Sequence, residues 1–299
     1  MSSDQQIDLI HRFLFDDSDL RGELVTLEQS FQQAASPQNL PKVFLPLYGE
    51  FMAAAALVAD MLKFEGTITL QARSNGPLPL IMAEANSKGH VRGFAQVDEQ
   101  QSLVQSDSNE LLPLAALLGG GVLSITIDPD KGKRYQGIVP LDGADLAECL
   151  QHYFSQSEQL PTYFKLFANE NKAGGIFLQC LPAQLVKDEE QREENWQTAR
   201  HLASTTKAEE ALDLDHPTLL YRLYHELQCR VFPPKQLSFR CHCSKERSAN
   251  AIKTLGEVEL QALIDEQGKV DMSCQFCGSN YHFDKTQLEG FKKELGKRH

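Results

Sequence analysis

The chain reads Cys241-His242-Cys243 and, after thirty intervening residues, Cys274-Gln275-Phe276-Cys277-Gly278. Four soft thiolates in one short region match the four ligands that zinc takes in tetrahedral structural sites. Gly278 supplies a turn that lets backbone amides face the sulfur atoms. The spacing therefore predicts that Cys241, Cys243, Cys274 and Cys277 bind one Zn²⁺ and fix the fold of the C-terminal region.

Two other interpretations of these cysteines are open. The two pairs could pack as ordinary core residues, although the loops that carry them are rich in polar residues. His242 stands between two predicted ligands and could replace one of them. Four protein thiolates leave no open coordination position, which disfavours metal-assisted hydrolysis and indicates a structural or regulatory site.

The first cysteine pair has one intervening residue, where an ordinary zinc ribbon has two. A disulfide between Cys241 and Cys243 would close a very small ring, and strained bridges of this kind are easily reduced. Zinc keeps its ligands as thiolates, which are the form that an oxidant attacks. Oxidation would release the metal, and with it the apparent binding energy of about 10–16 kcal/mol that such sites supply to their domain.

Composition restricts the classes of protein that this chain can belong to. The 299 residues include seven cysteines and no N-terminal export signal, which favours reduced thiols and a cytoplasmic location. The longest apolar run, 51–61, is shorter than the roughly 20 residues of a membrane span. The net charge of −12 opposes nucleic acid as a general partner, and residues 233–299 carry only 11 Lys and Arg against 9 Asp and Glu.

Strand patterns dominate residues 1–182. Short segments that alternate polar with apolar residues between Gly, Asn, Asp or Pro predict strands at 22–27, 66–72, 78–84, 91–97, 122–127, 135–141, 162–168 and 175–181. Helices are predicted at 41–62 and 145–155. Few helices beside eight strands predict an α+β fold with a mixed or antiparallel sheet, and 1–182 is the predicted core domain.

Residues 183–232 form a predicted helical linker that is metastable. Between 183 and 217 the chain has nine acidic and four basic residues, and over 187–210 its large apolar side chains are Trp196 and Leu202. A helix that buries little apolar surface is weakly held, so 188–213 is either a solvated connector or a segment whose folding can be switched. A second helix is predicted at 217–227. Residues 233–299 form the predicted zinc-binding redox-switch domain, too small to bury a large core.

At these residues the sequence resembles the redox-regulated 33 kDa heat shock chaperone family of bacteria. The match covers nearly the whole chain, from Arg21 to Phe283. It includes Phe239-Arg240-Cys241-His242-Cys243-Ser244, Lys245-Glu246-Arg247, Cys274-x-x-Cys277-Gly278-x-x-Tyr281-x-Phe283, Leu220-Tyr221-Arg222-Leu223-Tyr224-His225-Glu226, Ser157-Glu158-Gln159-Leu160-Pro161-Thr162, Tyr135-Gln136-Gly137 and Arg21-Gly22-Glu23-Leu24-Val25.

The resemblance implies an ATP-independent holdase that is not an enzyme and is inactive when reduced and zinc-bound. It implies that oxidation forms the disulfides Cys241–Cys243 and Cys274–Cys277, releases zinc and unfolds the C-terminal module with the linker. The oxidised protein is then expected to bind unfolding client proteins through the core domain 1–182 and to form a homodimer. No role is carried over to Cys149, Cys180 or Cys229, which are predicted to be small core residues.

Two other functions stay open at this point. A zinc ribbon that serves nucleic acid or the translation machinery would need a basic face with exposed aromatic residues, which the nearly neutral C-terminal region hardly offers. A thiol–disulfide oxidoreductase would place Cys274-x-x-Cys277 at a helix N-terminus, whereas a Gly-containing hairpin is expected here. No nucleophile elbow, HExxH motif or paired catalytic carboxylates accompany either alternative.

Overall fold

The computed structural model describes residues 7–62, 65–100 and 112–295, which group into two compact units, Met1–Arg240 and Cys241–His299. The first unit contains two six-stranded sheets and the second a two-stranded sheet with three helices. The predicted α+β fold class is confirmed. The predicted division at residues 182 and 232 stays a prediction.

The first sheet of the first unit is antiparallel throughout. Its strands are β1 (Leu9–Phe15), β2 (Leu20–Leu27), β8 (Thr162–Ala168), β9 (Ala173–Cys180), β10 (Cys229–Val231) and β11 (Lys235–Gln236). The order is β10-β1-β2-β9-β8, with β11 also pairing with β1. Strand β1 was not predicted from the sequence, because His11 and Arg12 interrupt its apolar pattern; in the fold His11 is buried and Arg12 pairs with the carboxylate of Asp60.

The second sheet is antiparallel except at one edge. Its strands are β3 (Gly66–Ser74), β4 (Leu80–Asn86), β5 (His90–Gln96), β6 (Gly121–Pro129), β7 (Tyr135–Pro140) and β12 (Ser238–Phe239), in the order β12-β5-β4-β3-β6-β7. The two residues of β12 pair in parallel with β5. All eight strands predicted from the sequence are present in the two sheets, each within about two residues of the expected bounds.

A central helix, α2 (Leu45–Asp60), packs against strands of both sheets. It is buried along nearly its whole length, which explains why its sequence is apolar on every side. The sequence predicted one helix over 41–62, but the first turn, Lys42–Phe44, is a 3-10 helix. By length and composition the stretch Lys42–Asp60 would also suit a membrane, yet 83% of its apolar window is buried inside the protein, as in a core helix.

Three further helices complete the core of the first unit. They are α1 (Gln29–Ala35), α3 (Leu114–Leu118) and α4 (Leu146–Ser157). The carboxylate of Asp145 accepts a hydrogen bond from the backbone N–H of Glu148, which caps α4 at the predicted start of that helix.

The segment 183–232 covers the outer face of the first sheet. Its helices are α5 (Glu189–Ser204), α6 (Ala208–Asp213) and α7 (His216–Tyr224), so the predicted stretch 188–213 is two helices with a break at 205–207. Trp196, Leu212, Leu220 and Tyr224 are buried against strand residues that include Phe13. The segment is therefore packed on the sheet and is not a solvated connector, because its few apolar residues point to one side.

The second unit has a small apolar core. It consists of α8 (Lys245–Lys253), α9 (Glu257–Glu266), β13 (Lys269–Ser273), β14 (Asn280–Asp284) and α10 (Lys285–Leu295). Its cluster of buried apolar side chains contains Ile252, Leu260, Ile264, Phe283 and Leu288. So few buried residues provide little hydrophobic stabilisation for a unit of this size.

Two histidines meet between the first sheet and the helical layer. The Nδ1 atoms of His11 on β1 and His216 in α7 are 2.8 Å apart, and Nε2 of His216 lies 2.8 Å from the hydroxyl of Thr26. Burial, and next the neighbouring His11 ring, lower the pKa of His216 to about 3, although the carboxylate of Asp215 opposes the shift. Burial also lowers the pKa of His11. Both rings are therefore neutral at pH 7.

The buried pair predicts a pH-dependent contribution to the stability of the first unit. The unfolded His216 takes up a proton below about pH 6.5 and the folded one only near pH 3, so its contribution is complete above pH 6.5 and is lost as the pH falls. We expect the difference in unfolding free energy between the parent and His216→Gln to shrink by about 2 kcal/mol between pH 7.5 and 5.0. Urea titrations followed by fluorescence of the single tryptophan, Trp196, would measure it.

The parent has to be compared with the variant because Glu23 changes the stability of the first unit with pH in the opposite direction. Burial, and next the carboxylate of Asp60, raise the pKa of Glu23 to about 8, so its contribution grows as the pH falls. The control is His225→Gln, since the side chain of His225 is 51% exposed. A difference between parent and His216→Gln that does not change with pH would show that the buried pair does not titrate as described.

Candidate metal centre

The first cysteine pair lies between β12 and α8. Ser244 caps α8, its hydroxyl accepting a hydrogen bond from the backbone N–H of Arg247 at 3.2 Å. The guanidinium of Arg247 donates to the backbone carbonyl of His242 at 2.9 Å. These two contacts fix the short loop that carries Cys241 and Cys243 against the start of the helix.

The second pair lies in the turn that joins β13 to β14. The backbone N–H of Cys274 donates to the carbonyl of Ser279, and the N–H of Gly278 donates to the carbonyl of Cys274, both at 2.8 Å. Gly278 has φ = 69°, in the left-handed region that glycine adopts without a steric penalty. The hairpin expected from the sequence is therefore present, with both cysteines on one tight turn.

The four sulfur atoms converge on one point of the second unit. All four Sγ atoms lie within 4.8 Å of one another, with Cys241 to Cys274 at 3.6 Å and Cys243 to Cys277 at 3.3 Å. In a tetrahedral site with metal–sulfur bonds of about 2.3 Å, neighbouring sulfurs are about 3.8 Å apart. The donor set and its spacing could hold a metal ion, and the ring of His242 is not in this group of four.

The thiols of this cluster differ in acidity. Burial raises the pKa of Cys241 to about 12 and also raises that of Cys274. Burial has the same tendency at Cys277, but the hydroxyl and backbone N–H of Ser279, and then the cysteine partners, lower its pKa to about 6. Without a cation the cluster therefore holds a mixture of thiols and thiolate, because four negative charges this close would repel one another.

Tyr281 belongs to the site, although the spacing of the cysteines gave no sign of it. Its hydroxyl donates a hydrogen bond to Sγ of Cys243 at 3.0 Å, and this bond, before any other cause, raises the pKa of Tyr281 to about 12. On β14 it stands two residues before the buried Phe283 and pairs with Met272 of β13. The sequence signal was its place in the motif Cys277-Gly278-x-x-Tyr281-x-Phe283, without any indication of its partner.

The other three cysteines lie in the first unit. Cys149 and Cys180 are buried and Cys229 is half-buried, and all three belong to or pack against its hydrophobic clusters. Burial raises the pKa of each, that of Cys180 and of Cys229 to about 11. These environments suit small core residues with unreactive thiols.

Fold and site together define a two-sheet α+β protein that carries a small C-terminal unit with a four-thiol cluster. Comparisons with known proteins identify the family to which such a chain belongs. The profile of the family described as Hsp33 protein matches residues 8–284. A 33 kDa chaperonin of Ectopseudomonas mendocina is 48% identical over 282 residues, which are 94% of either chain. A 33 kDa chaperonin of Pseudomonas aeruginosa is also 48% identical, covering 94% of this chain and 93% of the relative.

A solved structure shares the fold. The crystal structure of the 33 kDa chaperonin of Thermotoga maritima superposes with a TM-score of 0.83 at 24% identity and covers 97% of this chain and 99% of its own. This chain belongs to the Hsp33 family of chaperones.

A metal-substitution experiment tests the four-sulfur site. We expect the reduced chain to bind one Co²⁺ with the intense sulfur-to-metal charge-transfer absorption of a tetrahedral thiolate complex. Cys277→Ser should lose much of that absorption and weaken binding by more than about a hundredfold, because even changes outside the ligand set cost about 10–100-fold. Cys229→Ser is the control. Equal spectra for the parent and Cys277→Ser would place the ion elsewhere.

The hydrogen bond from Tyr281 gives a milder prediction. Tyr281→Phe removes the donor to Cys243 and keeps the ring, so we expect the affinity for Co²⁺ to fall on the order of tenfold without a change in coordination number. Competition with a chelator would measure this fall. Tyr221→Phe, at an exposed tyrosine of the first unit, should leave the affinity unchanged. An unchanged affinity for Tyr281→Phe would mean that the bond contributes nothing to the site.

Proposed function

We propose that this protein is a redox-regulated, ATP-independent holdase. In the reduced state it is inactive and binds one Zn²⁺, and on oxidation it protects unfolding proteins from aggregation. The observation that carries the proposal is the convergence of four thiols in a unit whose own apolar core is small. Membership of a family whose relatives are named chaperonins supports it.

Zinc is the metal that suits this donor set best. A closed tetrahedral site with four thiolate ligands is typical of structural zinc, and the motif lacks the spacing of common iron–sulfur clusters. When bound, Zn²⁺ would offset two of the four negative charges of the thiolates and cross-link the hairpin to the loop before α8. Cys241, Cys243, Cys274 and Cys277 are the proposed ligands. Tyr281 positions the sulfur of Cys243, and Gly278 keeps the second loop tight enough to present its two sulfurs.

Oxidation is proposed to form one disulfide within each pair. The thiolates of Cys241 and Cys243 lose two electrons as their sulfur–sulfur bond forms, and hydrogen peroxide takes up these electrons together with two protons from water to give two waters. Cys274 and Cys277 react in the same way with a second peroxide. The sulfur atoms of Cys241 and Cys274 are 3.6 Å apart and those of Cys243 and Cys277 are 3.3 Å apart, so these contacts join one pair to the other. A disulfide bond is only about 2.05 Å long, so the four-sulfur arrangement has to rearrange for a bridge to form within each pair.

Loss of the thiolates removes the main support of the second unit. Its five-residue core cannot replace the energy that metal binding supplies, so oxidation unfolds the unit. We propose that the helices of the segment 183–232, α5, α6 and α7, then leave the first sheet. The surface uncovered includes Phe13, Phe15, Leu24 and Ile176, which are buried while the segment is in place. Such a surface binds the exposed apolar segments of unfolding proteins.

The remaining properties of the proposed protein follow from the same scheme. Its partners are unfolded client proteins and, in the oxidised state, a second copy of the chain; nucleic acid and membranes are not among them. It catalyses no reaction. A cytoplasmic location suits cysteines that have to rest as thiols.

Light scattering from a thermally aggregating test protein would test the function. We expect the zinc-loaded reduced protein to leave aggregation unchanged and the peroxide-treated protein, at elevated temperature, to suppress it. Cys241→Ser with Cys243→Ser should abolish the response to peroxide, because the variant lacks two of the four metal ligands and cannot form the first bridge, so its activity no longer depends on oxidation. Cys229→Ser should respond like the parent. Equal activity before and after oxidation in the parent would exclude a redox switch and leave the metal centre structural.

A further inference from the structure

The beginning of the helical segment buries no apolar side chain completely. After β9 ends at Cys180, no side chain from 181 to 195 is buried, and Leu185 is 64% exposed. The first buried side chain of the segment is that of Trp196, in the second turn of α5. Residues 188–195 carry five acidic side chains and one basic one, Arg192, so neither burial nor charge balance holds this stretch in place.

Asp19, in the turn between β1 and β2, makes polar contacts with the beginning of the helical segment. The buried carboxylate of Asp19 accepts hydrogen bonds from the backbone N–H groups of Gln184, Leu185 and Val186, at 3.2, 3.0 and 3.1 Å. It also accepts one from the guanidinium of Arg192 at 2.6 Å. These bonds span more than 160 residues of sequence.

The backbone of the same residue adds to this anchor. The carbonyl of Asp19 accepts from the N–H of Leu181 at 2.7 Å, and Arg192 donates with its other terminal nitrogen to the carbonyl of Leu181 at 2.8 Å. Asp19, Leu181 and Arg192 thus form a closed set of contacts around the start of the segment. Burial alone would raise the pKa of Asp19, but the three backbone N–H groups and Arg192 lower it, so the carboxylate stays ionised at neutral pH.

We propose that Asp19 is the positioning residue that fixes the start of the segment 183–232 on the first sheet and so sets how readily oxidation frees it. This inference rests on the proposed function. Hydrogen bonds to a buried charge are stronger than neutral ones, and a stretch without a fully buried side chain has little apolar burial to oppose its opening. Removal of the charge should therefore loosen residues 181–195 locally, while the apolar contacts from Trp196 onward remain.

Two variants separate the charge from the space it fills. Asp19→Asn keeps the size of the side chain but replaces one acceptor oxygen with a donor group that cannot face N–H groups or Arg192. Arg192→Gln removes the ion pair and leaves the three hydrogen bonds from backbone N–H groups, so it should loosen the segment less than Asp19→Asn does. Arg192→Lys should keep part of the ion pair and loosen the segment less than Arg192→Gln. Asp17→Asn is the matched control, because Asp17 lies in the same turn and is exposed.

Hydrogen exchange on the reduced, metal-loaded full chain measures the anchor directly. We expect the amides of Gln184, Leu185 and Val186 to exchange at least about tenfold faster in Asp19→Asn than in the parent. The strands of the first sheet and the second unit should keep their rates, which a general loss of stability would not allow. The peroxide concentration that gives half-maximal holdase activity should fall in the order parent, Arg192→Gln, Asp19→Asn, with Asp17→Asn equal to the parent.

The outcomes distinguish the inference from the function on which it rests. Unchanged exchange at residues 184–186 in Asp19→Asn would overturn the anchor. Faster exchange with an unchanged peroxide requirement, in a background where the parent responds to peroxide, would overturn only its role in activation. A parent that does not respond to peroxide at all would overturn the proposed function and this inference with it.

Discussion

Electrostatic repulsion among four closely spaced thiolates is the constraint on which the second unit depends. They lie within 4.8 Å of one another, and the pKa values of the cysteines show that the protein alone does not favour four thiolates there. Only a cation makes that arrangement favourable, and the buried apolar side chains beside it are few. In the proposed scheme, metal binding by the four thiolates and folding of the second unit are therefore coupled, so that oxidation of the cysteines also unfolds the unit.

The first unit is built in the opposite way. Its central helix is buried between two sheets, and the aromatic and aliphatic side chains of that core need no ligand to hold them together. The outer helical layer is attached to the first sheet by an apolar patch around Tyr224, by one neutral histidine pair and, at its start, by the carboxylate of Asp19. Polar contacts of this kind fix the position and orientation of the helices on the sheet. Their strength depends on the protonation state and geometry of single side chains.

Sequence reasoning succeeded where a residue type or a local period determines the structure. The cysteines were recognisable because thiolates at such spacing serve few purposes, and the strands because polar and apolar residues alternate between turn residues. It did not find β1, whose His11 and Arg12 are matched by partners far along the chain. It treated 188–213 as one helix, because nothing in the pattern marks the break at 205–207.

The contacts that sequence reasoning did not find are those between distant residues. Three hydrogen-bonded contacts each join two short stretches of sequence that share no pattern. They are those of Tyr281 with Cys243, of Asp19 with residues 184–186, and of His11 with His216. A polar side chain of this kind is read from sequence as a solvated one, since exposure is the usual state of such residues. Only the fold shows which of them are buried and which group they face.

The topology of the first sheet has a consequence for how the helical layer leaves it. Residues 181–228 connect β9 to β10, and both strands belong to that same sheet. The layer is therefore a loop fixed at both ends, and once detached it stays near its former site at an effective concentration that is typically on the order of millimolar. Any molecule that occupies the uncovered face competes with this tethered loop for as long as it stays bound. The helical layer thus acts as an intramolecular competitor for the uncovered face. The length of the loop and the affinity of the layer for the sheet determine how effectively it displaces a bound molecule.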